Sequence, residues 1–192
     1  MTEIALEMSD EELVKKYTPD IKKIMYDSQR FFRFGQGVRW KFDFTENPGY
    51  VASYNRNEDG IHVNIRSVHL ANERKEPLSI EFYLLHELRH RFQWLVVRTS
   101  DRGGEVGAYS EEAKVWKKEW ADYKKPVSRD EKSLAEYFKQ SLEVDAYIYA
   151  YAVMQYKYGD VSYLKACVPT CYGKDFYEKA DEWCQRFREM GI

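Results

Sequence analysis

The chain has 192 residues, of which 44% are hydrophobic and 16% aromatic, as expected for one domain with a substantial core. A formal net charge of -2 gives no reason to expect binding to nucleic acid or anionic membranes. The acidic residues 1–10 lack the pattern of a signal peptide, and no apolar run reaches membrane-spanning length. We therefore expect a cytoplasmic protein.

The first predicted elements are two helices over residues 9–32. Ser9–Glu12 is a capping box that predicts a helix ending near Lys16. Thr18–Asp20 then combines a cap residue, a proline suited to the first helical turn and an acid suited to the helix dipole. This second start signal predicts another helix that ends near Phe32.

Three short strands are predicted next. Apolar and polar residues alternate from Val38 to Phe44, and two further strand-like runs, Tyr50–Tyr54 and Ile61–Ile65, are separated by turn sequences. Consecutive short strands joined by turns favour an antiparallel meander. The last strand, Ile61–Ile65, is a candidate edge for pairing with an extended peptide.

The run Ile80–Val97 is apolar and free of proline, which predicts a buried helix. Because His86 and His90 lie four residues apart on it, both imidazoles project from the same face and can reach one metal ion. Glu87 then stands beside that metal, where a general base for water is needed. The alternative is a pair of core histidines, with Glu87 forming an ion pair with Arg91.

The C-terminal half is predicted to be helical. Ser100–Gly107 is rich in glycine and predicts a flexible connector. A charged helix follows over Ser110–Tyr123, and a second capping box opens a long helix over Ser128–Tyr158. A last helix begins near Asp175.

A catalytic zinc ion usually has three protein ligands and one position open to water. No histidine follows His90, so the third ligand must be a carboxylate. Glu143 is the first candidate, because its neighbours are small or apolar and an unpaired charge there would be costly. Asp145 is the reserve ligand, or a partner that orients a ligand histidine. Alternatively, Glu143 is the buried partner of Arg89 or Arg91.

The segment Leu84–Gln93, followed by Glu143–Ala150, resembles the two motifs of a small gluzincin, a zinc peptidase with the His-Glu-x-x-His arrangement. Single-domain zincins of this kind occur in bacteria, phages and mobile elements, and some cleave repressors. The resemblance implies an α+β zincin-like fold in which a small antiparallel three-stranded sheet packs on the active-site helix and on a second, ligand-bearing helix.

The resemblance also implies His86, His90 and Glu143 as zinc ligands and Glu87 as the catalytic base. In such proteins the ligand glutamate is often followed four residues later by aspartate or asparagine. Here that position is Tyr147, whereas an acid stands at 145.

The predicted function is hydrolysis of a peptide bond in an intracellular protein by zinc-activated water. Glu87 transfers the proton, and the hydroxyl of Tyr147 is the first candidate to stabilise the oxyanion, ahead of His62. The alternative is a zinc-binding or protein-interaction domain that keeps the fold but cleaves nothing. The sequence makes no prediction of the oligomeric state.

These patterns together predict one α+β domain over residues 1–192. Its parts are N-terminal helices over 9–32, a sheet over 38–65, an active-site helix over 78–98 and a helical C-terminal half over 110–190. Three cysteines, an odd number in a chain without an export signal, predict free thiols at Cys167, Cys171 and Cys184.

Overall fold

The computed structural model describes residues 8–32, 37–46, 49–125 and 130–192. Over these ranges the protein is mostly helical with one three-stranded sheet, which confirms the α+β class. The helices are α1 (Asp10–Phe32), α2 (Ile65–Glu73), α3 (Pro77–Asp101), α4 (Ser110–Ala121), α5 (Glu131–Phe138), α6 (Ser141–Tyr158) and α7 (Lys174–Met190). The strands are β1 (Arg39–Asp43), β2 (Ala52–Asn55) and β3 (Gly60–Asn64), and two short 3-10 helices cover Gly107–Tyr109 and Ser162–Cys167.

Helix α1 is continuous, so the prediction of two helices over residues 9–32 is wrong. The capping box at its start is present: the Ser9 N–H donates to Glu12 Oε2 over 2.8 Å, and the Glu12 N–H donates to Ser9 Oγ over 3.3 Å. Pro19 lies inside the helix and removes one backbone hydrogen bond. The buried face nevertheless continues on both sides of the proline, through Leu13, Tyr17, Ile21 and Met25. Core packing thus outweighs the local break signal.

The sheet is mixed, so the predicted antiparallel meander is wrong. Strand β3 lies in the centre, pairs in parallel with β1 and pairs antiparallel with β2. The reason is burial: a central strand is covered on both edges, and β3 contains the fully buried Ile61 and Val63, whereas β1 carries the exposed Arg39 and Lys41. Ile61–Ile65 is therefore not an edge, and β2 is the edge strand that contacts α3.

Helix α2 follows β3 without a loop and is absent from the sequence prediction. Asn64 ends the strand and caps the helix, because its side chain accepts a hydrogen bond from the Ser67 N–H over 2.8 Å. The same side chain donates to the Thr45 carbonyl over 2.8 Å. Ile65, predicted as the end of a strand, is thus the first residue of a helix.

The predicted long helix over 128–158 is divided into α5 and α6, and its proposed capping box includes residues outside the described ranges. Gln140 adopts extended backbone angles between the two helices. Its side chain accepts from the Lys124 N–H and donates to the Lys124 carbonyl, each over 2.9 Å. Glu119 accepts from the first N–H groups of α6, those of Ser141 and Leu142, each over 2.9 Å. These tertiary bonds end one helix and begin the next, which places Glu143 in the first turn of α6.

The predicted active-site helix and the last predicted helix are both present, with different bounds. Helix α3 contains the predicted segment 78–98 and extends to Asp101, so that the expected connector is shorter. The last predicted helix is α7. Cys167, Cys171 and Cys184 are free thiols, as expected. Among the described residues, no helix combines the length and the apolar character needed to cross a membrane.

We expect Glu119→Ala to lower the free energy of unfolding by about 1–2 kcal/mol, because the first N–H groups of α6 lose their acceptor. Urea denaturation followed by circular dichroism measures this change. The matched control is Glu111→Ala, since Glu111 is exposed and pairs only with Lys114 in the described part of the chain. The control should change stability by less than about 0.5 kcal/mol. Equal effects of the two substitutions would show that Glu119 does not cap α6.

Candidate metal centre

Two histidines and one glutamate converge between α3 and α6. The Nε2 atoms of His86 and His90, one turn apart on α3, lie 3.0 Å from each other. Glu143 places Oε2 at 3.3 Å from His86 Nε2 and Oε1 at 3.2 Å from His90 Nε2. All three side chains are buried, and Glu143 is fully so. The spacing expected for two ligand histidines is therefore realised, and Glu143 is the carboxylate that reaches them.

These distances match the requirements of a tetrahedral metal ion. Ligand atoms about 2.0–2.1 Å from zinc lie about 3.3 Å from each other in that geometry. Glu143 Oε2 is buried and has no hydrogen-bond partner among the described residues, a state that is costly for a carboxylate oxygen. A cation between the three side chains would remove this cost. The group can thus bind a metal ion.

The alternatives that involve arginine are wrong. Arg89 donates from Nε to Asp145 Oδ2 over 2.8 Å and from Nη2 to Asp145 Oδ1 over 3.0 Å. Arg91 forms a similar double contact with Asp59, at 3.0 and 3.1 Å. Neither arginine pairs with Glu143, and Asp145 does not belong to the three-residue cluster. The reserve ligand is therefore occupied as an ion-pair partner.

Glu87 lies beside the cluster and is fixed from the sheet. Its Oε2 accepts a hydrogen bond from the backbone N–H of Tyr54, on the edge strand β2, over 2.6 Å. Its Oε1 lies 3.9 Å from His86 Nε2. Burial raises the pKa of Glu87 above its usual value. Glu87 pairs with the sheet, and Arg91 with Asp59, so the predicted ion pair within α3 is not formed.

Glu143 is held by a tyrosine that sequence reasoning missed. The Tyr123 hydroxyl donates a hydrogen bond to Glu143 Oε1, and the Tyr137 hydroxyl lies 3.3 Å from that of Tyr123. The sequence shows only that tyrosines are abundant, 16 in the chain, and does not indicate which of them meet at the centre. The break between α5 and α6 brings Tyr137 to this position.

Tyr147 contacts the centre through its ring. The ring centroids of Tyr147 and His86 lie 4.2 Å apart. The hydroxyl makes no hydrogen bond to the cluster within the described ranges, so Tyr147 meets the candidate ligands by ring packing. His62, the weaker candidate for the oxyanion, lies on β3 and contacts Glu58 over 3.0 Å, away from the cluster.

The ionisable groups of the centre shift one another's pKa values. Burial raises the pKa of Glu143, but His90 and His86 outweigh burial, so that the pKa lies well below its usual value. Conversely, burial lowers the pKa of His90, while Glu143 outweighs burial and raises the pKa to about 9. In the described ranges no lysine or arginine forms an ion pair with Glu143 or Glu87. The buried Glu143 and the partly buried Glu87 thus face two imidazoles, and a protonated His90 balances the charge of Glu143 where a metal ion does not.

The centre opens into a cleft of about 1640 Å³. One wall is formed by residues 49–54, which lead into and include part of β2, and another by residues 163, 164 and 166–170. His86, Glu87 and His90 line the cleft together with Tyr147. A bound metal ion and the Glu87 carboxylate would therefore both be accessible to a large ligand.

Comparisons with models of protein families, with curated proteins and with solved structures find no match to this chain. The interpretation of the centre therefore depends on its own geometry. That geometry consists of three convergent side chains that could bind a metal ion, an adjacent carboxylate and a cleft bounded by an edge strand.

We expect the protein to bind one divalent metal ion per chain, with zinc as the test ion, and Glu143→Gln to weaken that binding by more than about 100-fold, because a neutral amide is a poor metal ligand. Competition with a chromogenic chelator measures the affinity, and metal analysis gives the stoichiometry. Glu136→Gln is the control, since it makes the same change at an exposed position of α5. A Glu143→Gln protein with wild-type zinc affinity would exclude Glu143 as a ligand.

Proposed function

We propose that this protein is a zinc-dependent peptidase of the gluzincin type with a zincin-like fold. His86, His90 and Glu143 hold the zinc, and Glu87 is the catalytic base. The observation that supports the proposal is that the Glu87 carboxylate lies next to the cluster of His86, His90 and Glu143, on the wall of an open cleft.

Zinc held by these ligands would activate a water molecule and polarise the substrate carbonyl. The residue of the protein that transfers the proton is Glu87. Its Oε2 is fixed by the Tyr54 N–H, and its Oε1 is directed towards His86. The raised pKa of this partly buried carboxylate favours acceptance of a proton from the attacking water. Glu87 then donates that proton to the amine that leaves, so one water is consumed for each peptide bond broken.

The edge strand β2 is the element suited to hold the substrate. Backbone groups on the free side of an edge strand can pair with an extended peptide. Residues 49–54 line the cleft, and the Tyr54 N–H already contacts Glu87. A peptide paired with β2 would therefore pass the candidate base and the ligand cluster. This arrangement transfers to β2 the role that the sequence assigned to Ile61–Ile65.

Tyr147 is the candidate donor to the oxyanion. It lines the cleft beside His86, and its hydroxyl does not hydrogen-bond to the cluster in the described part of the chain. Burial raises the pKa of Tyr147 well above its usual value, so the hydroxyl keeps its proton at neutral pH. A protonated phenol can donate to an oxygen that becomes negative during the reaction.

We expect Glu87→Gln to retain zinc but to lose at least about 100-fold in hydrolysis, because the amide cannot accept the proton. Since the substrate is unidentified, activity is measured on a peptide library digested from a bacterial proteome, with new amino termini identified by mass spectrometry. Glu58→Gln, which changes an exposed carboxylate on the β2–β3 turn, is the control and should cleave as the wild type does.

Two results would contradict the proposed peptidase activity. One is a Glu87→Gln protein as active as the wild type. The other is a wild-type protein that carries one zinc per chain and cleaves no peptide of the library, which would indicate the non-catalytic zinc-binding domain.

A further inference from the structure

We infer that Gln93 is a positioning residue, which orients His90 for metal binding and is itself held by the ion pair of Arg89 with Asp145. The inference rests on the metal-binding role proposed for the centre, and it is independent of the hydrolytic step. Its basis is a continuous chain of hydrogen bonds behind one of the two candidate histidine ligands.

The amide of Gln93 has only one satisfactory orientation. The side chain is fully buried between α3 and α6. Its Nε2 lies 2.9 Å from the Leu142 carbonyl oxygen and 2.7 Å from Asp145 Oδ2, and both of these atoms can only accept hydrogen bonds. A flipped amide would set Oε1 against a carbonyl and a carboxylate oxygen. The NH₂ group must therefore face α6, and Oε1 must face His90.

This orientation determines where the proton of a neutral His90 lies. Gln93 Oε1 is 2.9 Å from His90 Nδ1 and can only accept a hydrogen bond, so Nδ1 must carry a proton. The lone pair of the neutral ring is then on Nε2, which faces His86 and Glu143. Metal-binding histidines are commonly oriented by such a bond from the other ring nitrogen. Here the amide of Gln93 accepts that bond, and the carboxylate of Asp145 in turn accepts a hydrogen bond from the amide.

His86 is held in a different way. Its Nδ1 is buried and has no hydrogen-bond partner among the described residues. Ring packing against Tyr147 orients it instead. The two candidate ligands are therefore not equivalent, and of the two histidines only His90 should lose its orienting hydrogen bond when Gln93 is replaced.

The ion pair at the far end of this series of hydrogen bonds, between Arg89 and Asp145, is held rigidly. Arg89 is 1% exposed and meets both oxygens of Asp145. Its guanidinium lies 4.2–5.7 Å from the centroids of five rings, those of Phe92, Tyr109, Trp116, Tyr149 and Trp183. Since these rings belong to several different helices, Arg89 cannot move without disturbing their packing. Asp145 is thus held in place, and it in turn restrains Gln93.

The test compares the zinc affinity of Gln93→Met with that of the wild type, by chelator competition. Methionine keeps the volume but can neither accept from His90 nor donate to Asp145. We expect affinity to fall about 10- to 100-fold, the usual effect of losing a partner behind a metal ligand. The absorption spectrum of the cobalt-substituted protein should also change, because His90 is no longer held at one angle. The control is Gln155→Met, which changes a residue elsewhere on α6 and removes its hydrogen bond to Asp181. It should leave both the zinc affinity and the cobalt spectrum unchanged.

A second measurement on the wild-type protein covers the case in which Gln93→Met does not fold. In the zinc-loaded protein with nitrogen-15-labelled histidine and glutamine, the Nδ1 proton of His90 and the amide protons of Gln93 should exchange slowly with solvent. Two results would overturn the inference. One is a Gln93→Met protein with wild-type zinc affinity and an unchanged cobalt spectrum. The other is rapid exchange of these protons in the wild-type protein. A wild-type protein that binds no zinc would overturn the metal centre as well, whereas none of these readouts depends on peptidase activity.

Discussion

The ion pair between Arg89 and Asp145 is the interaction on which the rest of the structure depends. Removing an arginine from water costs several kcal/mol, and this cost is recovered only with good geometry and a full set of partners. Here the pair is bidentate, and five aromatic rings surround the guanidinium. The pair joins α3 to α6, the two helices that carry the candidate ligands. It therefore sets their relative position before any metal ion is considered.

The second constraint is electrostatic. Glu143 is fully buried at the start of a helix whose other buried residues are all hydrophobic, and an unpaired carboxylate is unfavourable there. The imidazoles of His86 and His90 and the hydroxyl of Tyr123 surround it, and none of them is a permanent cation. A cation bound between these side chains would therefore stabilise the site. Such linkage between ligand binding and folding is typical of metal centres.

The sheet is connected to the same helix by a second ion pair. Arg91 holds Asp59, which also accepts a hydrogen bond from the Tyr54 hydroxyl over 3.1 Å. The backbone of Tyr54 in turn contacts Glu87. As a result, α3 carries the two histidines and Glu87, and it also holds the edge strand β2 that bounds the cleft. A small mixed sheet is sufficient for this arrangement, because only one of its edges faces the centre.

The sequence by itself determined the features that lie within one turn or one helix. The spacing of His86 and His90 guarantees a common face, and the apolar surroundings of Glu143 indicate a buried carboxylate that needs a partner. The tertiary structure alone decided the partners that are distant in sequence. Gln93 meets Asp145 across two helices, Tyr123 reaches Glu143, and β2 becomes the edge because β3 is the more apolar strand. It also overrode two local signals, at Pro19 and at Gln140, because packing and hydrogen bonds from distant residues contribute more free energy than the local preference of the backbone.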